Sequence, residues 1–112
     1  MKEIKAYVQS SQVADVIAAL KDSTAWGGAA GDALHNLAVY LVRGMLSAPN
    51  AEDRHYSTAL GDEVVNEYKL ELICEDADVD ALVRVIASAA HAGDAVSGWI
   101  TVTRLDRAVR IP

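Results

Sequence analysis

The sequence predicts an α+β fold, a four-stranded antiparallel sheet with two helices on one face, from two periodicities and the order in which they alternate. Residues 2–9, 63–74 and 98–103 alternate apolar and polar side chains, the period-two pattern of half-buried strands. Residues 13–20 and 79–90 instead repeat apolar side chains at helical spacing. With an apolar run at 37–42, the order along the chain is strand, helix, strand, strand, helix, strand.

In the first strand, Lys2 to Gln9, Ile4, Ala6 and Val8 share one face and Lys5 and Tyr7 the other. Ser10 and Ser11 are candidate N-caps for a helix whose Val13, Val16, Ile17 and Leu20 fall on one stripe and which stops near Ser23. Residues 24–36, rich in glycine and without a period, read as an inserted loop. Leu37 to Val42 is apolar at every position, so both of its faces should be covered. From Gly44 to Asp62 there is no sustained period, and the polar stretch from Glu52 to Thr58 makes this a long exposed loop of the kind that usually carries function. Glu63 to Cys74 sets Tyr68, Leu70, Leu72 and Cys74 against Lys69, Glu71 and Ile73. Asp76 and Asp78 suit a helix N-terminus ahead of the stripe Val79, Leu82, Val83, Ile86, Ala89 and Ala90, and Gly93 is a natural stop. The strand Gly98 to Thr103 follows, and Leu105 to Ile111 has the length for a turn and a final edge strand.

A chain of 112 residues suits one domain, spanning 1–112, and 52% hydrophobic against 23% charged residues excludes a disordered chain. A net charge of −6 with scattered Lys and Arg excludes a nucleic-acid partner. With no apolar h-region and no apolar run of membrane-spanning length, a cytoplasmic location without membrane insertion is expected. The one cysteine, Cys74, cannot form an internal disulfide and suits a packing role in a reducing compartment.

The element order is that of a ferredoxin-like sandwich. Its helices cover one side of the sheet, and apolar residues on the other side of strands two and three would need a protein partner, most simply further copies of the same chain.

The opening residues 1–20 (MKEIKAYVQSSQVADVIAAL), LVRG ending at Gly44, EYKLELIC, HAGDAVSGWITV and the closing DRAVRI together resemble the PII signal-transduction proteins in order and spacing, over nearly the whole chain. The resemblance implies a homotrimer whose intersubunit clefts bind adenine nucleotides and whose T-loop, here 44–62, engages transporters or enzymes. It implies nucleotide-binding roles for Gly44, at the base of the T-loop, for Glu71, for Gly93 and Gly98 of the phosphate-contacting loop, and for Arg110. It implies a partner-binding loop containing Glu52, Asp53, Arg54, His55 and Tyr56. The family's residues for 2-oxoglutarate become Ala48 and Glu67, which argues against that ligand, and Asp94, Val96, Ser97 and Trp99 replace the usual phosphate-loop pattern. ADP, AMP, ATP or a small anion is the expected ligand, no cofactor is required, and the expected target is a membrane transporter or its cytosolic domain, for inorganic carbon rather than ammonium.

Other readings are weaker. Gly27, Gly28 and Gly31 lack the GK[ST] that would make them a phosphate loop. His35, His55, His91 and Cys74 lack metal-ligand spacing, although a trimeric divalent-cation-binding protein similar to the CutA type is the alternative. No nucleophile has an adjacent base, so an enzyme is not expected.

Overall fold

A computed structural model describes residues 1–26, 36–44, 54–60, 62–93 and 96–112. Its elements are β1 (Lys2–Gln9), α1 (Val13–Asp22), a 3-10 turn (Thr24–Trp26), β2 (Ala38–Gly44), β3 (Arg54–Ser57), β4 (Asp62–Cys74), a second 3-10 turn (Asp76–Asp78), α2 (Val79–Ala90) and β5 (Gly98–Arg104). The sheet has the order β2-β4-β1-β5, with β3 paired to the start of β4, and every pairing is antiparallel. This is the expected α+β, ferredoxin-like arrangement, with both helices on one face.

Alternation explains why the helices lie on that face. Ile4, Ala6 and Val8 of β1 and Leu70, Leu72 and Cys74 of β4 form one buried cluster with Val16 and Leu20 of α1 and Leu82, Ile86 and Ala90 of α2. Full burial of each large side chain in it contributes about 1.5–3 kcal/mol. Cys74 is a packing residue, and burial raises its thiol pKa. Gly93 lies just past α2 at φ +77°, a region disfavoured by about 1–2 kcal/mol for residues with a Cβ.

Several expectations change. Ser10 and Ser11 do not cap α1: the N-cap is Gln12, without a side-chain capping bond. Its N–H donates to the Gln9 carbonyl at 2.9 Å, so the end of β1 folds into a tight turn that takes up the serines. β2 is an edge strand that the helices do not reach, and Val39 and Leu41 are 43% and 62% exposed in the isolated chain. The 44–62 stretch is not loop throughout, because Arg54–Ser57 pairs with 62–65 of β4 as a hairpin. No strand forms after Arg104, and residues 106–112 are exposed. The face away from the helices is charged rather than apolar at its centre, where β1 and β4 place Glu3, Lys5, Lys69 and Glu71 side by side. The glycines Gly27, Gly28 and Gly31, together with His35, Ala48, Glu52, Asp53 and Asp94, lie outside the described residues.

Candidate functional site

Glu71 stands near the middle of this open face. Its carboxylate pairs with Lys69 Nζ at 2.8 Å and accepts a hydrogen bond from Tyr40 Oη at 3.0 Å. The Lys69 ammonium also lies 5.1 Å from the Tyr40 ring centroid. Hydrogen bonds from Lys69 and then Tyr40 hold the Glu71 carboxyl below its ordinary pKa, while Glu71 raises the pKa of both partners. Alternation alone puts Lys69 and Glu71 on one face. Tyr40 joins them only through the β2–β4 register, in which it stands opposite Lys69, and reasoning from the sequence missed it.

Gly44 ends β2 opposite Val65, and a Cβ there would collide with Glu67 Oε1. Glu67 is 6% exposed. Burial raises its carboxyl pKa. This carboxylate is a feature the alternation of β4 hid, because an acidic residue on the uncovered face of a strand reads as solvated.

Gly93 and Gly98 flank a short connection between α2 and β5. Ser97 Oγ closes it, accepting from the Ala92 N–H at 2.9 Å and donating to the Ala92 carbonyl at 3.1 Å. A Cβ at Gly98 would strike the Tyr7 carbonyl oxygen, so β1 and β5 approach here only because the position is glycine. Beside this connection lies a crevice of about 320 Å³ lined by Tyr7, His91, Ser97 and Trp99 among others. Trp99 stands opposite Tyr7 and is 59% exposed.

Arg110 lies in the exposed tail and lines a crevice of about 610 Å³ with Met1, Asn36 and Ile73. The tail begins beside β1, where the Leu105 N–H donates to the Met1 carbonyl at 3.1 Å. The Met1 ammonium in turn sits 2.8 Å from Asp76 and holds that carboxyl below its ordinary pKa.

The predicted site residues are therefore scattered within one chain. Gly44 and Gly98 sit at the same end of the sheet but on opposite edge strands, with β4 and β1 between them. Three interstrand steps of about 4.8 Å separate those edges by roughly 14 Å. Arg110 is at the other end, beside Met1 and Ile73, and the eight residues of β1 span roughly 25 Å at about 3.3 Å each. Of the predicted partner-binding residues, Arg54, His55 and Tyr56 fall in β3, and the Tyr56 side chain is exposed. His91 is exposed just past α2, and among the described residues no three His, Cys, Asp or Glu side chains gather to hold a metal ion. Among the described residues, no helix is long and apolar enough to cross a membrane.

No protein-family model matches the chain. A curated relative, nitrogen regulatory protein P-II 2 of Methanothermobacter thermautotrophicus, is 30% identical over 111 residues, which cover 99% of this chain and 89% of the relative. A likeness at this level over 99% of the chain makes this protein a member of the nitrogen regulatory P-II family, a regulator and not an enzyme.

Proposed function

We propose that the chain is a single-domain cytoplasmic regulator that assembles as a homotrimer, senses an adenine nucleotide or small anion in clefts between copies, and signals through the 44–62 segment. The target is a membrane transporter or its cytosolic domain, for inorganic carbon rather than ammonium. The separation of Gly44, Gly98 and Arg110 supports this reading most: one chain holds them at two ends and two edges of its sheet, so only neighbouring copies can bring them to one ligand. β2 favours association as well, since among the described residues it is an edge strand carrying the exposed apolar side chains Val39, Tyr40 and Leu41.

Glu71 contributes to such a cleft as a carboxylate already oriented by Lys69 and Tyr40, suited to accept from a hydroxyl or amino group of the ligand. Arg110 supplies charge toward a phosphate or another anion. Glu67 beside Gly44 brings no positive charge to that place, which disfavours a dicarboxylate such as 2-oxoglutarate.

Light scattering on a sizing column, combined with calorimetry against ATP, ADP, AMP, bicarbonate and 2-oxoglutarate, tests the reading. A trimer that binds a nucleotide or bicarbonate, with affinity lost in Arg110→Ala, is expected. A monomer at micromolar concentration, or a response confined to 2-oxoglutarate with ATP, overturns it.

A further inference from the structure

Across the strands, rather than along any one of them, the open face carries a single aromatic row. Tyr40 of β2 stands opposite Lys69 of β4, Lys69 opposite Tyr7 of β1, and Tyr7 opposite Trp99 of β5. Partners in register share a face, so the four side chains lie side by side. The chain has four tyrosines, two tryptophans and no phenylalanine, and half of these rings stand in this row. Of the others, Trp26 and Tyr68 pack against the core and Tyr56 lies on β3.

The two halves of the row differ. Toward β2, the Lys69 ammonium pairs with Glu71 at 2.8 Å and lies 5.1 Å from the Tyr40 ring centroid. Toward β5, Trp99 ends the row with 59% of its surface exposed, which forgoes the stabilisation that burying an indole would give. Its place is fixed by the residue before it, because a Cβ at Gly98 would strike the Tyr7 carbonyl oxygen and the two strands therefore meet closely there.

Tyr7 and Trp99 also line the crevice of about 320 Å³, which Ala87, Ala90 and His91 line from the end of α2. That volume is at the lower end of the roughly 300–1,000 Å³ of small-molecule sites, room for one heterocycle rather than a chain segment. None of the lining residues is a lysine or an arginine. Arg84 of α2 lines a different crevice, with Asp22 and Ser88, and Arg104 stands at the far end of β5, opposite Lys2. A phosphate entering beside Trp99 would lose water without gaining a cation, whereas a flat uncharged ring would meet an indole, a phenol and an imidazole. The imidazole of His91 can donate to or accept from the edge of such a ring.

We infer that Tyr7 and Trp99 form a stacking site for an uncharged heteroaromatic ring, with His91 at its edge, and that affinity there comes from the ring and not from any phosphate attached to it. That occupancy is relayed to a target rests on the proposed sensing role, whereas the stacking site does not.

Titration of the full-length protein with adenosine, uridine and nicotinamide, beside ATP and inorganic pyrophosphate, tests this by calorimetry and by the Trp99 indole N–H resonance. At least one uncharged ring should bind and shift that resonance, pyrophosphate should leave it unmoved, and ATP should gain nothing over adenosine. Trp99→Ala should weaken the ring by about tenfold or more, and Trp99→Phe should retain most of the affinity. Light scattering should find the same mass for Trp99→Ala as for the natural protein. Binding of none of the three rings, a shift with pyrophosphate, ATP tighter than adenosine, or ring affinity unchanged in Trp99→Ala overturns the inference. So does a change of mass in that variant, which would make the indole a contact between copies. A monomer that binds a ring keeps the stacking site and loses the trimeric reading, and a trimer that binds ATP but no uncharged ring does the reverse.

Discussion

Two carboxylates four residues apart on the same face of β4 have opposite fates. Glu71 is surrounded by donors, Lys69 at 2.8 Å and Tyr40 at 3.0 Å, and its proton is held less tightly than usual. Glu67 has Val42, Gly44 and Gln9 around it and holds its proton more tightly. The strand, the face and the residue type are the same, so the difference comes from what the neighbouring strands place opposite. In the middle of the sheet the cross-strand partners neutralise charge, and at its end the missing Cβ of Gly44 admits the Glu67 carboxyl. Hydrogen bonds favour the ionised form of the first, and burial favours the neutral form of the second.

The largest effect on this contrast comes from removing the core that holds β4 in register. Leu70 lies between the two carboxylates on the opposite face and is 1% exposed. Leu70→Ala should cost about 2–5 kcal/mol in chemical denaturation and bring both carboxyls toward ordinary titration. A loss below that range would mean that the helices do not brace this strand.

The two close-approach glycines should differ next. At Gly98 a methyl group meets backbone, the Tyr7 carbonyl, which cannot step aside, so Gly98→Ala should cost about 1–3 kcal/mol. At Gly44 it meets only the end of the Glu67 side chain, and Gly44→Ala should cost clearly less in the same assay. Equal losses would show that Glu67 cannot move.

Stability against pH sharpens the contrast further. The folded-state pKa of Glu67 is raised, so its contribution is complete below the unfolded-state value and is lost as pH rises through the folded one. Denaturation curves for Glu67→Gln should therefore lack that decline and gain on the natural protein as pH rises, with the advantage constant above the folded pKa. An advantage that grows toward low pH would contradict the assignment. For Glu71 the sign is reversed: its pKa is lowered, so its contribution is present above the unfolded-state value and fades as pH falls through the folded one. Tyr40→Phe should produce the smallest change, a rise in the Glu71 midpoint toward the ordinary value with little effect on stability at neutral pH, because Lys69 remains. An unmoved midpoint would show that the Tyr40 hydrogen bond contributes nothing in solution.

Much of the fold could be read from single residues. The alternation of Ile4, Ala6 and Val8 marks β1 as 2–9, the stripe through Val16 and Leu20 marks α1, and Leu82, Ile86 and Ala90 mark α2. β3 could not be read in this way. Arg54–Ser57 is short and polar, has no period of its own, and becomes a strand only because the chain folds it against 62–65. The candidate site residues divide similarly. Gly44, Glu71, Gly93, Gly98 and Arg110 could be picked out by resemblance, but their distances from one another could not.

The sequence by itself determined which side chains of β1 and the two helices face the core and in what order the elements other than β3 follow, because period and punctuation are local and each of these elements carries its own. Register across the sheet was decided only in the tertiary structure: it gave Glu71 two donors, left Glu67 against Gly44, and set Arg110 far from Gly44. Those outcomes depend on which strand lies beside which and at what offset, and that follows from the packing of the whole chain rather than from any one segment.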